Sequence, residues 1–418
     1  MNTFTQYFEQ VDRRAPGLSG LRKAARQKYN AQKFPTARTE DWRFTNVMPL
    51  LDVPYTLPEA VEVEAALMPA PAAENALRLV FANGWYMPKL SRVGALPPGT
   101  LVGPLSELGM EAVGRHLAQI AGWQDHVFTA LNTSLLTEAA CVVVPADVAL
   151  QAPVEILYLT LGAGTKCVTQ PRTLIVAGEN AQATVVERYR NVGSADDVYF
   201  TNAVAEISLA RGSMIDHVKL LEEGASAYHI ANTQVVQAGR SAFSTHYLAL
   251  GGGLVRNEVR VRFEDEYAEA TVNGLYVARG KQHLDNHTVI DHAKPNCVSH
   301  ELYKGILDDE SHGVFNGKIF VRKDAQKTDA KQTNKVLLLS DKATINTKPQ
   351  LEIFADDVKC THGATVGQLD AEQRYYLQSR GIPRAEAERI LTFAFANDIV
   401  SRLKLDALRA ELEASLVR

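Results

Sequence analysis

The chain has 418 residues and a formal net charge of −4 at pH 7. That length accommodates two or three domains and a sizeable core, and that charge gives no general attraction to nucleic acid or an anionic membrane. The four cysteines, Cys141, Cys167, Cys297 and Cys360, form no CxxC pair and are too scattered for a disulfide framework, which points to a reducing cytoplasmic setting.

No apolar run approaches the length of a signal-peptide core or a bilayer span; Ala139 to Pro145 is typical of the longest. The most basic stretch, Arg322 to Lys342, interleaves Asp324, Asp329 and Asp341 with its lysines, as a solvated face does. A nucleic-acid or membrane partner is therefore not expected.

Phe4, Tyr7, Phe8 and Val11 have helical spacing. Leu18-Ser19-Gly20 breaks that helix, and Leu21 to Gln32 predicts a second, basic one. Arg38 to Asn46 is dense in charge and aromatic residues and reads as a helix start capped by Thr39. Pro54, Pro58, Pro69 and Pro71 mark a linker. Leu77 to Trp85 predicts a strand, and Ser106 to Leu136 a helix weakened by Gly109, Gly114 and Gly122.

From Cys141 the period changes to two. Ala205, Ile207 and Leu209 alternate with Glu206 and Ser208; Val259, Val261 and Phe263 alternate with Arg260, Arg262 and Glu264. Turns recur at Gly212, Gly224 and Gly239. The last two are 15 residues apart, and Gly251 follows 12 later. Strands at this spacing fit a β-solenoid or a sandwich. The divisions that follow are an N-terminal helical and mixed region over 1–136, a β core over 137–367, and a C-terminal helical region over 368–418.

In that last region Asp370 and Gln373 resemble a capping box, Ser379-Arg380-Gly381 stops a helix, and Ile382-Pro383 starts another. Ala387, Ile390, Leu391, Ala394 and Phe395 line one face, which Phe393 and Ile399 broaden. Such a surface either docks a partner or packs on the chain's own β core.

Several catalytic readings fail on spacing. Gly313 to Lys318 is one residue short of a phosphate-binding loop and lacks the hydroxyl that would follow the lysine. Gly251-Gly252-Gly253 is not followed by a helical pattern, so it is a turn. His283, His287, His292, His300 and His312 crowd one stretch, but Asp285, Asn286 and Asp291 favour turns, and histidines at solvated turns are the plainer reading. Asp356-Asp357 suits an acid/base pair in a polysaccharide-active β-helix only if both point to one face, which strand alternation opposes.

Cys360 and His362 remain. In a strand, residues i and i+2 share a face, so a thiol and an imidazole would sit side by side, ready for a transition metal such as iron or zinc. A tetrahedral site needs further ligands from elsewhere. The plain alternative for Cys360 is a small buried apolar residue.

The strings Arg38-Thr39-Glu40-Asp41-Trp42-Arg43-Phe44 and Lys359-Cys360-Thr361-His362-Gly363-Ala364-Thr365-Val366-Gly367 resemble the SufB/SufD family of iron–sulfur cluster assembly proteins. Leu377 to Ile382, Ala385 to Phe395, Gly305 to Lys318 and Gln332 to Leu339 extend the likeness over most of the chain, least over residues 50–100. Gly363 stands where SufB usually has a glutamate, and cysteines are few, so the SufD branch is the nearer one.

The resemblance implies a right-handed parallel β-helix flanked by N- and C-terminal helical regions. It implies a non-catalytic scaffold that pairs with SufB and docks the ABC-type ATPase SufC, with a homodimer in isolation as the alternative to the SufB pairing. Tyr375, Tyr376, Ile390, Leu391, Phe393 and Phe395 are the candidate SufC-docking residues. Cys360 and His362 are the candidate ligands for iron or a nascent cluster at the SufB interface. No tightly bound cofactor is expected; iron or a cluster would be held transiently, and a reduced flavin in the complex is left open. The competing classes are a stand-alone polysaccharide enzyme using Asp356 and Asp357, and an adaptor in which Cys360 and His362 are incidental.

Overall fold

The structure, a computed structural model, describes residues 4–162 and 164–416. Two ten-stranded sheets stack on one another. From Ala140–Val144 onward the chain alternates between them, so each turn of chain leaves one strand in each sheet. One sheet contains, among others, Gln182–Asn191, Met214–Glu222, Ala242–Ala249, Glu269–Ala278, Val298–Leu307, Asp329–Leu338 and Lys359–Gly367. The other contains Phe200–Leu209, Tyr228–Gln237, Leu254–Phe263, His283–His292, His312–Val321 and Thr344–Ile353. Neighbours are parallel, as in Leu254–Phe263 against His283–His292. The result is a parallel β-solenoid of about eight turns, which decides between the two architectures the strand spacing allowed.

The glycine spacing marks half-turns. Leu254, His283 and His312 are successive register partners 29 residues apart, a full turn and close to twice the spacing seen in sequence. Corners use left-handed backbone at Asn180, Arg240, Tyr267, Asn296, Asp309 and Lys327, most of which carry no glycine signature.

Alternation sends one face of each strand into the lumen and the other outward. Val185, Ile215, Phe243, Val272, Val259, Ile290 and Tyr303 belong to one lumenal apolar cluster drawn from both sheets. Gly274 and Gly305 make space there: a Cβ at either would lie 2.3 Å or 2.4 Å from the rings of Tyr303 and Tyr276. Substitution at either glycine would displace a buried ring.

Each outer face is covered. The N-terminal helices Phe8–Arg14 and Ser19–Ala31, with Val127–Ser134, bring Phe4, Tyr29, Trp42, Phe128 and Leu131 onto Phe200 and Ile230. On the other side, Ala396, Ile399 and Val400 from the helix Arg384–Val400, and Leu408 and Leu412 from Asp406–Leu416, cover Val218, Leu220, Leu248, Leu275 and Ile306. Arg188 fixes the last helix by reaching both Glu222 and Glu411.

Several local expectations change. Thr39 does not cap a helix: Glu40–Trp42 is a single 3-10 turn without a side-chain cap. The predicted helix over Ser106 to Leu136 is two, Leu105–Val113 and Val127–Ser134, with Gly109 non-helical inside the first. Leu77–Ala82 turns back through Asn83 and Gly84 to pair antiparallel with Trp85–Tyr86. Asp370 does cap its helix, accepting from the backbone N–H groups of Glu372 and Gln373.

Candidate functional site

Cys360 and His362 lie on Lys359–Gly367, the last strand of its sheet. That strand pairs on one side with Asp329–Leu338, placing Cys360 beside Ala330 and His362 beside Gln332. Its other edge has no strand among the described residues. Cys360 is half-buried against the cluster of Ile319, Val321 and Ala330, so its side chain faces the end of the lumen. His362, two residues on, shares that face and is exposed.

Burial pushes the Cys360 thiol up, and the neighbouring Asp329 carboxylate adds to the shift. A thiolate there requires a cation or a metal beside it. The strand thus presents a soft and a borderline donor at an open end. Among the described residues no group of three or more His, Cys, Asp or Glu is arranged to hold a metal ion. A complete site at this end would draw ligands from outside the chain. The other cysteines are buried, and burial pushes Cys141 and Cys167 to about 12 and Cys297 to about 11, so they are inert core thiols.

The histidine-rich stretch is not at solvated turns. His283, His287 and His292 all lie in the strand His283–His292. The even and odd positions diverge: His292 enters the lumen, where it contacts Ser299 at 2.8 Å and the Phe263 ring at 4.7 Å. His283 and His287 face outward, under the N-terminal layer. His283 contacts Thr45 Oγ1 at 2.9 Å and meets the His312 ring at 4.7 Å.

That outward side centres on Arg256. Its guanidinium donates to Glu258 Oε1, to Asp285 Oδ2 at 2.8 Å and to the Asp41 carbonyl at 2.6 Å, and lies 3.8 Å from the centre of the Trp42 ring. Burial alone would raise the Asp285 carboxyl; His287 and Arg256 outweigh it and hold Asp285 well below the usual carboxylate range. The Arg38–Phe44 string is therefore the clamp that ties the N-terminal layer to the solenoid. Its sequence signal was the unusual Trp-Arg density, whose partner, Arg256, no local pattern identifies.

Asp356 and Asp357 are exposed in the bend before the last strand. A cavity of about 580 Å³ lies elsewhere, between the N-terminal segment and the first strands, walled by Leu18, Phe81, Tyr86 and Tyr158.

The docking candidates separate into two groups. Tyr375 is 74% exposed and Tyr376 57%, and Ile390 is 38% exposed. Tyr376, Leu377, Ile390 and Leu391 form a shallow apolar groove between the helices Ala371–Ser379 and Arg384–Val400. Phe393 and Phe395 turn toward the solenoid instead. Phe393 lines a cleft with Val277, Ile306 and Leu339. Phe395 receives the Lys304 ammonium over its ring at 4.3 Å and accepts from it through its carbonyl at 2.9 Å. The helix Arg384–Val400 thus packs on the solenoid with its C-terminal half, while its first half lies against the helix Ala371–Ser379.

Residues 160–395 match the family described as "SUF system FeS cluster assembly, SufBD core domain", and residues 1–156 match "SufBD protein N-terminal region". A SufBD-family iron–sulfur cluster assembly protein of Synechocystis is 33% identical over 411 residues, 94% of this chain and 89% of that protein. The iron–sulfur cluster assembly protein SufD of Escherichia coli is 32% identical over 386 residues, 92% of this chain and 88% of that protein. SufD of Bacillus subtilis is 30% identical over 299 residues, 70% of this chain and 67% of that protein. With the solenoid, its two helical covers and the matched regions together, the chain belongs to the SufBD family of iron–sulfur cluster assembly proteins.

Proposed function

We propose that this chain is a non-catalytic scaffold subunit that pairs with SufB through the open end of its solenoid and docks the ATPase SufC on its free helical groove. The observation that carries this reading is the last strand. Cys360 and His362 share the lumenal face of an exposed edge and offer two donors to a site that needs more. An exposed strand edge is a template for a second chain, which would bring those ligands with it. Iron, or the nascent cluster, is then cargo held between subunits.

The groove of Tyr376, Leu377, Ile390 and Leu391 supports the SufC assignment, because it stays apolar and exposed while the same helix packs on the solenoid further on. SufC dimerising on ATP would pull on this helix and, through it, on the end strands a few residues upstream. That motion would expose Cys360.

The test is co-expression with SufB and SufC partners. Removing everything from Asp370 is a poor variant, since it would uncover Val218, Leu220 and Leu248. Ile390→Asp with Leu391→Asp leaves that packing intact. This variant is expected to lose SufC and keep SufB, whereas Cys360→Ser with His362→Ala is expected to keep both partners and lose cluster formation. An unaltered chain that retains neither partner overturns the reading. ATP added to the assembled complex is expected to raise the reactivity of Cys360 toward a thiol reagent; no change would refute the gating step alone.

A further inference from the structure

The lumen is not uniformly apolar. In one sheet the register partners His217, Thr245, Val272, Glu301, Gln332 and His362 stack in a single column, one per strand. From Glu301 to the open end that column is polar without a break. In the opposite sheet Asn257 and Asn286 are register partners, and both face the lumen, flanked along their strands by Val255 and Val259 and by Leu284 and Thr288. All of Glu301, Gln332, Asn257 and Asn286 are at most 3% exposed.

These groups are incompletely paired. Gln332 Nε2 donates to Glu301 Oε2 at 2.7 Å. Gln332 Oε1, the Tyr303 hydroxyl and both amide atoms of Asn257 and of Asn286 have no protein partner. An unpaired buried polar atom is costly, so a run of them in one compartment calls for a common partner. Water is the partner of the right size, given several polar contacts. Gly317 lets the Gln332 amide lie across its strand: a Cβ there would fall 2.2 Å from the amide nitrogen and 2.8 Å from the Phe315 ring, so those side chains fill the space that the glycine leaves.

We propose that this part of the lumen is hydrated and forms a proton lane, in which water held by Asn257, Asn286, Glu301, Tyr303 and Gln332 carries protons between the Glu301 carboxyl and the open end of the solenoid. The transfer is simple in its balance. Protonated Glu301 gives its proton to an adjacent water, that water passes one on along the file, and a carboxylate remains until a proton returns by the same route. Glu301 is suited to the role because burial pushes it up to about 7, with Thr288 and Gln332 pulling it back part of the way. Both of its forms are therefore populated near neutrality. The lane stands whether or not Cys360 and His362 receive iron, since it rests on lumenal groups alone.

The test is infrared spectroscopy on the full chain. The protonated Glu301 carbonyl band is assigned by subtracting Glu301→Gln, and its shift is followed after mixing into D2O. A hydrated lane makes that band exchange on the order of 100-fold faster than the slowest amides of the lumenal strands, which wait for global opening. Exchange in step with those amides means a dry lumen and overturns the proposal. The double variant Asn257→Leu with Asn286→Leu gives a second readout of opposite sign. If water bonds these amides, the variant slows the exchange at least about tenfold and lowers Tm; if they are dry, removing orphaned amides raises Tm and leaves exchange unchanged. Should Glu301→Gln fail to fold, a crystal structure of the unaltered chain decides: ordered waters between Asn257 and Asn286 support the lane, and an apolar void there overturns it.

Discussion

The two ends of the solenoid are built in opposite ways. At its beginning, the antiparallel pieces Trp85–Tyr86 and Leu101–Pro104 flank the first parallel strands, and the N-terminal helices lie over them. There Arg172, fully buried, meets Glu206 at 2.6 Å, and Glu206 also accepts from the backbone of Ala118, Ile120 and Ala121. At the other end, Thr344–Ile353 is only half-buried and Lys359–Gly367 is almost wholly exposed, with no strand on its outer edge among the described residues. A sheet edge left this way is a liability unless something is meant to cover it. One end is closed with hydrogen bonds and ion pairs from the chain itself, and the other is left uncovered among the described residues, where the proposed pairing would place a second subunit.

This contrast is open to attack at both ends. The largest effect is expected at the closed one. Arg172→Ala strands the Glu206 carboxylate in the core, and breaking a buried pair in this way costs about 3–5 kcal/mol. A denaturant midpoint on the isolated chain measures it. A loss below about 1 kcal/mol would mean that the closed end is held by packing alone.

The middle of the lumen gives two effects of opposite pH slope. Glu301 is raised to about 7 in the fold from an ordinary 4.5. Its stabilising contribution is complete below about 4.5 and is lost as the pH rises through about 7. A shift of that size is worth about 3 kcal/mol, so Glu301→Gln should flatten the decline in stability across this window. His292 is lowered by burial to about 4 from 6.5. The fold therefore loses stability as the pH falls from 6.5 toward 4, because the unfolded chain takes up the proton first. His292→Gln should flatten the acid side and leave the alkaline side unchanged. Thermal melts at closely spaced pH values separate the two.

The smallest effect on the isolated chain is expected at the open end. Val366 is 47% exposed, and Val366→Lys should change the stability of the chain alone by no more than about 0.5 kcal/mol. The same variant should abolish capture of a SufB partner, read by co-purification. If it instead lowers the midpoint of the isolated chain strongly, the end is already closed in solution by a second copy.

Much of this was legible in the sequence, for identifiable reasons. Period-two alternation at Ala205 to Leu209 and Val259 to Phe263 exposed the strands, because each strand buries one face fully. It could not choose between solenoid and sandwich, since both alternate alike and only the parallel register distinguishes them. The corners hid the period: Arg240, Tyr267 and Lys327 take left-handed backbone without being glycine. The Cys360–His362 pairing on one face followed from strand geometry alone. The Trp42–Arg256 stack was beyond reach, because it joins a 3-10 turn to a strand far along the chain. Phe395 was equally hidden. Helical spacing shows that a face is apolar, but the choice between partner and self depends on Lys304, which a helix pattern does not contain.

The free edge of Lys359–Gly367 also bears on supply. Backbone pairing along such an edge selects poorly among the strands that meet it. The amount of unaccompanied chain then depends on how much partner is made alongside it. Under the proposed pairing, matched synthesis of the two subunits becomes a condition of solubility, because an excess of this one leaves exposed strand edges open to aggregation.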